Sequence, residues 1–502
     1  MGIIRKQSLQ STIFIYAGFA IGALNVLVLF PNEKYFSLAE FGLTKVLVDV
    51  SLLIAMLCTL GAYPAVIKFY PFYNSYLPKK ENDLPVWTFL TVLTGCLLFV
   101  FLMPFFKGII IRKYGERSPL FVQYFNLIYP LTISMAFLYL FEAYAWIAKK
   151  TVLPAIAREL IVRGLTTLLI LMVMAGLLNF NQFINLYAFI YVTPVLFILY
   201  FLMKSGDLSF NFTLSSVTRR LRERIWIFSL FIFSGQVLNI LAKTLDSIII
   251  SSQSPGGLQD TGIFTIATYF IALMEVPLRG MTGIAYSILS QAWKDKDLKK
   301  VFNVYRKTAL NLLIAGLGIM GVLVLITPDV IAFLGPKYES MYYVVLLLGF
   351  SKLIDLGTGI NSQLLMTSKH WRIEFFTNIF LVIMAGVFNY LLVRQNGILG
   401  SAWATLISFT LYNLIRFLLI WRLFKMQPFS MKNFYVLLIG LICFLTGWFM
   451  PFVLNIYVDA IVKAIFFSAL YGIFIIRFHI SEDINDFFEI SVGRMKRFFN
   501  IS

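Results

Sequence analysis

Charged side chains inside long apolar runs are the residues of this 502-residue chain best suited to chemistry. An ionisable group within a membrane is costly and by default marks a functional site. Most of these charges form opposite pairs three or four residues apart, which places both partners on one helix face. The pairs are Lys45 with Asp49, Glu159 with Arg163, Lys243 with Asp246, Glu275 with Arg279, Lys352 with Asp355, and Asp459 with Lys463; Arg416 and Glu142 stand apart from them.

These pairs allow two interpretations. Each pair could neutralise itself and hold helices together. Six pairs in one chain also fit the charged walls of a water-filled cavity, because lipid-facing pairs would be poorly solvated. Such a cavity is typical of a transporter and would accept an anionic substrate, although its positive and negative charges nearly balance.

The segment from Glu275 to Gly280 predicts a break in a membrane helix. Pro277 removes a backbone hydrogen bond in mid-span, and Gly280 and Gly283 permit bending or close packing. Transporters bind substrates and hinge at broken helices near the bilayer midplane. This segment is therefore the first candidate for a binding or hinge site.

Composition fixes the class of the protein. Apolar residues make up 60% of the chain and charged residues only 13%, about half the share in soluble domains. The apolar inventory suffices for fourteen helices of about 21 residues, so we predict an all-α polytopic membrane protein and exclude a soluble enzyme, a secreted disulfide scaffold and a disordered chain. The predicted spans lie near 10–30, 41–61, 86–106, 121–146, 152–176, 182–203, 225–250, 262–290, 302–326, 339–366, 373–393, 398–421, 433–453 and 459–479.

The distribution of Lys and Arg predicts the orientation. Loops on the side of the two termini carry a roughly fourfold excess of basic residues, which indicates that both termini are cytoplasmic. The loop 107–120 is the one basic loop on the outer side. This bias also explains the net charge of +18 without a nucleic-acid partner.

Small residues inside the spans have ordinary packing interpretations. Cys58, Cys96 and Cys443 form no C-x-x-C pair and are expected to be buried small hydrophobes rather than redox groups. Gly18 and Gly22 form a small-xxx-small surface, which predicts close helix packing in the first span.

Missing features argue against catalysis. The chain has no Walker sequence, and its two histidines, His370 and His479, belong to no cluster with metal-ligand spacing. The loops are short, and the longest, near 204–224, leaves no room for a soluble domain. We therefore expect a non-enzymatic transporter without a metal.

A faint repeat divides the chain. Phe41-Gly42-Leu43-Thr44 opens span two, and Thr261-Gly262-Ile263-Phe264-Thr265 opens span eight, an offset of six spans. The predicted organisation is an N-lobe (1–203), a cytoplasmic linker (204–224), a C-lobe (225–425), two additional spans (426–480) and a cytoplasmic amphipathic tail (481–502). The tail would lie on the inner leaflet or pack against the protein's own cytoplasmic loops.

The chain resembles a known family. It is similar to the polysaccharide-type flippases, including O-antigen flippases, of the multidrug/oligosaccharidyl-lipid/polysaccharide (MOP) exporter superfamily. The resemblance rests on Ile4-Arg5-Lys6-Gln7-Ser8 before span one, Glu40-Phe41-Gly42-Leu43 at the start of span two, the layout of six, six and two spans, and the charged spans.

The resemblance implies a flippase in the bacterial inner membrane. Its substrate would be undecaprenyl-pyrophosphate-linked oligosaccharide for surface polysaccharide or lipopolysaccharide. Two lobes would alternate between inward- and outward-open V shapes around a charged central cavity, without ATP or a cofactor. Its partners would include a polysaccharide polymerase and other assembly proteins.

The resemblance also implies roles for the intramembrane charges. The pyrophosphate would bind first to Lys45, Lys243 and Arg279, and secondarily to Lys352 and Arg416. The acidic residues would bind a coupling proton or sodium ion, or would hold the cations in place; these are Asp49, Asp246, Glu275 and Asp355.

Two other functions remain open. A multidrug antiporter of the same superfamily would use the acidic residues to bind cationic drugs, but fourteen spans favour the polysaccharide branch over a drug branch that generally has twelve. A membrane enzyme such as a polymerase is disfavoured because the outer loops are short.

Overall fold

The computed structural model describes residues 2–208, 210–451, 455–486 and 489, and in that part of the chain it contains helices and no strands. The chain forms two compact units, Met1–Thr265 (unit 1) and Ile266–Ser502 (unit 2). Eleven of the described helices are long and apolar enough to cross a membrane. The predicted all-helical, multi-pass class is therefore confirmed.

Unit 1 is built around α2, which packs against α6 and α11, while α3 packs against α4, α6 and α11. It contains two π-helical turns: Asn25–Leu29 continues α1, and Ile156–Val162 joins α7 to α8. Its helices are α1 (Gly2–Leu24), α2 (Leu38–Cys58), α3 (Ala62–Tyr76), α4 (Leu84–Tyr114), α5 (Pro119–Gln123), α6 (Ile128–Ile147), α7 (Val152–Ala155), α8 (Arg163–Met174), α9 (Phe180–Tyr187), α10 (Val192–Lys204), α11 (Ser216–Gln253) and α12 (Leu258–Ala272), which ends in unit 2.

Unit 2 is built around α14, which packs against α13, α15, α18 and α19, while α15 also packs against α17. Two 3₁₀ turns, Leu273–Glu275 and Pro336–Tyr338, join its helices. The helices are α13 (Val276–Lys294), α14 (Leu298–Leu334), α15 (Met341–Gly357), α16 (Asn361–Thr367), α17 (Arg372–Phe424), α18 (Met431–Trp448) and α19 (Ile456–Arg477).

Helix caps extend several helices beyond the predicted apolar runs. Helix α11 begins at Ser216, inside the predicted linker 204–224, because Ser215 Oγ accepts a hydrogen bond from Thr218 N at 3.1 Å. Helix α14 begins before its apolar run because Asp297 caps its first turn. Hydropathy locates the apolar core of such a helix, whereas the cap determines where the helix starts.

Helix α17 contains two of the predicted spans, 373–393 and 398–421, and reverses direction between them. Gly397 at the reversal has φ 55° and ψ −134°, a conformation that favours glycine. Asn389 accepts a hydrogen bond from Ser401 at 2.7 Å, and Asn378 accepts one from Tyr412 at 2.8 Å. Each pair is centred on position 395, so the two legs form an antiparallel hairpin.

The two copies of the predicted repeat meet in unit 1. A Cβ atom on Gly42 would overlap the carbonyl oxygen of Leu258, and one on Gly262 would lie 2.8 Å from the carbonyl oxygen of Leu38. Each glycine thus faces the carbonyl that lies four residues before the other glycine. The N-terminal turns of α2 and α12 therefore cross in a symmetric backbone contact that requires glycine on both sides.

An aromatic cluster fixes the start of α2. Phe30 stacks on Phe41 with ring centroids 4.8 Å apart, and Phe36 packs edge-on against Phe183 at 5.1 Å. Ser37 caps the helix in a capping box with Glu40. These contacts hold the loop that leads into the glycine crossing.

The start of the predicted tail packs on α14. Ser481 donates a hydrogen bond to Asn311 at 2.6 Å, and Lys307 pairs with Glu482 at 3.1 Å and with Asp483 at 3.6 Å. This end of the segment therefore contacts helix α14 of the protein itself. Most of the amphipathic stretch, 490–502, lies outside the described residues.

Candidate functional site

A helix break in unit 2 carries the first candidate site. Helix α12 ends at Ala272, a 3₁₀ turn covers Leu273–Glu275, and α13 begins at Val276. Pro277 occupies the first turn of α13, where its missing N–H removes no helical hydrogen bond. The predicted interruption is therefore present, and it places Glu275 at the junction.

Four charged side chains around this break form one network, here called the unit-2 charge cluster. Glu275 accepts hydrogen bonds from Arg279 Nη2 and lies in an ion pair with Lys352 Nζ, both at 2.8 Å. Lys352 also pairs with Asp355 at 3.2 Å. The predicted pairs Glu275–Arg279 and Lys352–Asp355 are thus joined into a chain of alternating charge that links α13 to α15.

Exposure differs sharply along this network. The Lys352 side chain is 14% exposed and Asp355 18%, whereas Arg279 is 59% exposed. Lys352 is enclosed by two carboxylates, and Arg279 is the open end of the network. A planar guanidinium can bind phosphate oxygens in a bidentate manner, so Arg279 is the member best placed to meet an anionic ligand.

Arg416 lies in a second, enclosed network of unit 2. It forms an ion pair with Glu374, donates from Nε to Thr377 at 3.2 Å and lies 3.9 Å from the centroid of the Tyr412 ring. Its side chain is only 3% exposed. A head group would have to displace Glu374 to reach this guanidinium, whereas the guanidinium of Arg279 is directly accessible.

Polar groups of α15, α16 and α17 itself continue the network around Arg416. Asn361 accepts from its Nη1 at 3.4 Å and donates to Asn413 at 3.0 Å. Asn413 in turn donates to Asp355 at 3.4 Å, a weak contact that connects this network with the unit-2 charge cluster. One run of polar contacts therefore extends from the exposed Arg279 to the buried Arg416.

In unit 1, one predicted pair lies on α2 and also contacts α11. Lys45 lies 2.9 Å from Asp49, and Asp49 also accepts a hydrogen bond from Ser247 of α11. The Asp49 carboxylate is buried, while the Lys45 side chain is one-third exposed. Lys243 and Asp246 lie on the same helix as Ser247, with Lys243 exposed and Asp246 half-buried.

A further predicted pair fastens the π-helical turn to α1. Glu159 and Arg163 are 2.8 Å apart, and Arg163 Nη1 donates to the carbonyl of Gly18 at 2.7 Å. A Cβ on Gly18 would lie 2.5 Å from the Cβ of Glu159. The predicted close packing at Gly18 is confirmed. The Glu159–Arg163 ion pair lies at this contact between helices, which supports a structural role for it.

Ion pairs that join different helices were not predicted from the sequence. Arg158 binds Glu142 in a bidentate pair at 2.5 and 2.8 Å, joining the π-helical turn to α6. Lys463 contacts Asp329 of α14 at 3.6 Å in addition to its predicted partner Asp459. Spacing along the chain reveals only pairs on one helix. An unpaired Glu142 inside a predicted span nevertheless indicates that a basic partner must come from another helix.

In the part of the chain that is described, no group of three or more His, Cys, Asp or Glu side chains could hold a metal ion. Cys58, Cys96 and Cys443 are free and buried, as predicted.

Comparison with solved structures identifies the fold. The chain is similar to the lipid II flippase MurJ in an inward closed conformation, with a TM-score of 0.72 and 16% identity, over 94% of this chain and 100% of that one. It is also similar to a multidrug resistance MATE family transporter of the MOP superfamily, inward-facing (TM-score 0.60, 17% identity, 80% and 98% covered) and outward-facing (0.55, 15%, 84% and 96%). No family model and no curated protein matches the sequence.

These similarities confirm the expected resemblance at the level of the fold. The first of these neighbours is a flippase and the other two are transporters; none of the three is an enzyme. The MurJ structure aligns with more of this chain than either MATE structure does, at a higher TM-score.

Proposed function

We propose that this protein is a flippase for undecaprenyl-pyrophosphate-linked oligosaccharide in the bacterial inner membrane, serving surface polysaccharide or lipopolysaccharide biosynthesis. The observation that carries the proposal is the exposed guanidinium of Arg279 at a helix break, held by Glu275 at the most exposed end of the unit-2 charge cluster. The extensive fold similarity to a lipid II flippase supports the same class of substrate.

The proposed binding step is an exchange of partners. A pyrophosphate oxygen competes with Glu275 for Arg279, and a bidentate contact with phosphate replaces the single hydrogen bond to the carboxylate. Glu275 keeps its ion pair with Lys352, so the released carboxylate is not left uncompensated. Substrate can then bind and leave without stranding a buried charge, as transport by alternating access requires.

The acidic members of the network are the proposed sites for a coupling ion. Glu275 and Asp355 flank Lys352, and a proton or sodium ion bound to either carboxylate would weaken its hold on that lysine. In unit 1, the proposed counterparts are the cations Lys45 and Lys243 with the acids Asp49 and Asp246. For Arg416, its burial against Glu374 supports a bracing role rather than first contact with the head group.

The proposed topology has fourteen spans with both termini in the cytoplasm. Eleven helices meet the length and apolarity required. The reversal at Gly397 divides one of them into two legs, and the helical segments 2–29 and 152–174 each contain a π-helical turn and account for two more. The basic excess in the loops on the terminal side supports the orientation. Partners would include the lipid-linked substrate, membrane lipids and a polysaccharide polymerase.

The test is gene deletion followed by complementation. Deletion is expected to remove surface glycan and to trap lipid-linked intermediates on the cytoplasmic leaflet, and the unmodified gene should restore export. Arg279→Ala should not restore export, whereas Arg422→Ala, which removes an exposed arginine elsewhere in unit 2, should do so. Both variants must insert at equal levels by immunoblot for the comparison to count.

Normal glycan export by Arg279→Ala would contradict the assigned role of this residue. Unchanged glycans after deletion, together with new sensitivity to cationic drugs, would instead support the alternative of an ion-coupled multidrug antiporter, which the similarity to multidrug resistance transporters also favours. In that case Glu275 and Asp355 would become the candidate drug-binding residues.

A further inference from the structure

Unit 1 contains a groove that lies apart from its charged pairs. It encloses about 260 Å³ between α3, α4 and α11, and its walls include Leu60, Leu84 and Ile225. This volume is below the about 300–1,000 Å³ of pockets for drug-sized ligands. The groove can therefore hold a stretch of one hydrocarbon chain but not an entire glycolipid.

Two tryptophans flank the groove. Trp87 donates its indole N–H to Asp83 at 3.1 Å, which fixes the orientation of its ring, and Trp226 is 60% exposed. Tryptophan is enriched where a membrane meets water, because its ring is apolar and its N–H is polar. These side chains indicate that the groove opens at the level of lipid head groups.

A buried carboxylate holds the walls of the groove together. Asp83, just before α4, accepts hydrogen bonds from Ser215 N at 2.9 Å and from Thr218 Oγ1 at 2.8 Å at the start of α11. Tyr73 of α3 lies 2.7 Å from the Thr218 hydroxyl. The N-terminus of α11 compensates the negative charge of Asp83, so this acid does not make the groove electrically negative.

The charge at the mouth of the groove is positive. Arg222 is the one charged side chain among the described residues that line it, and it is exposed. Three further exposed arginines, Arg219, Arg220 and Arg224, lie on the same two turns of α11 with one exposed acid, Glu223, so the segment keeps a net positive charge. A cluster of four to eight basic residues beside a membrane helix is typical of binding to anionic lipids.

We propose that this groove binds an anionic glycerophospholipid, with one acyl chain between α3, α4 and α11 and the phosphate at Arg222. The helical spacing of Thr218, Arg222, Ile225 and Ser229 places all four on the face of α11 that lines the groove. The basic cluster attracts anionic head groups in general, whereas the groove selects one bound lipid.

The experiment is native mass spectrometry of the purified full-length protein with phosphatidylglycerol and phosphatidylcholine of identical acyl chains. Wild-type protein should bind phosphatidylglycerol more tightly. Arg222→Ala should weaken that binding about fivefold, the value of one basic contact near an anionic head group, and should weaken phosphatidylcholine binding less, because the choline cation offsets the charge of that lipid's phosphate. Arg220→Ala is the matched control because it removes the same charge outside the groove.

A second pair of variants tests the groove itself. Thr91→Phe would fill the groove from α4 and should weaken binding of both lipids. Thr94→Phe is its control, since Thr94 is exposed on the same helix and its hydroxyl makes the same type of backbone hydrogen bond. Equal effects of the two arginine variants, or of the two threonine variants, would reduce the finding to nonspecific attraction and overturn the proposal.

Discussion

The glycine crossing between α2 and α12 makes a quantitative prediction. In Gly42→Ala the new methyl group would overlap the carbonyl oxygen of Leu258 and approach the amide nitrogen of Gly262 to 3.1 Å. Both neighbours are backbone atoms, which cannot rotate away as a side chain would. The helices must therefore separate locally, and we expect the protein to be destabilised.

The size of the effect follows from two opposing terms. Replacing glycine by alanine within a helix favours folding by about 1 kcal/mol. Overpacking typically costs about 1–3 kcal/mol, and a backbone clash belongs at the upper end of that range or above it. The expected net loss for Gly42→Ala is about 2 kcal/mol, and Gly262→Ala should lose less because its nearest contact is longer.

The assay is thermal unfolding of purified variants in one detergent at one scan rate, since membrane proteins of this size often unfold irreversibly. Gly108→Ala is the control because a Cβ there meets no atom within 4 Å, so this variant should be as stable as wild type or more so. A midpoint for Gly42→Ala equal to or above that of Gly108→Ala would refute the reasoning. Because both glycines serve one crossing, the double variant should lose less than the sum of the single losses.

Three further substitutions test other contacts by the same unfolding assay. Arg416→Met leaves the buried Glu374 carboxylate without its ion-pair partner and should cost about 3–5 kcal/mol. Glu142→Gln removes one side of the bidentate pair with Arg158, which is partly exposed, and should cost less, about 1–3 kcal/mol. Gly397→Ala forces a side chain into a backbone conformation that favours glycine and should cost about 1–3 kcal/mol.

Each of these has its own contrary result. For the buried pair, adding Glu374→Leu to Arg416→Met should recover part of the loss, and strictly additive losses would contradict the ion pair. For Glu142, a loss no larger than that of Arg422→Ala would show that the pair contributes nothing. For Gly397, a stability gain comparable to Gly108→Ala would contradict the reversal at that position.

The class of the protein and the positions of its apolar helices were predictable from the sequence. Hydrophobic length and the scarcity of charge depend only on local composition, and a bilayer imposes one solution on such a chain. Pairs one helical turn apart, such as Lys45–Asp49 and Lys352–Asp355, were also predictable, because the helical repeat fixes which residues share a face. The start of a new helix near Pro277 was also predictable, because proline is disfavoured inside a helix and favoured in its first turn.

Contacts between helices were decided only by the tertiary structure. Spacing along the chain cannot show that Glu275 meets Lys352, that Arg158 meets Glu142, or that Arg416 is buried against Glu374. The repeat gave no sign that its two glycines face each other, although both had been found in the sequence. Helix periodicity determines the face on which a residue lies, but the packing of helices determines what that face contacts. Helix packing is therefore the reason that Arg279 is exposed and Arg416 is enclosed.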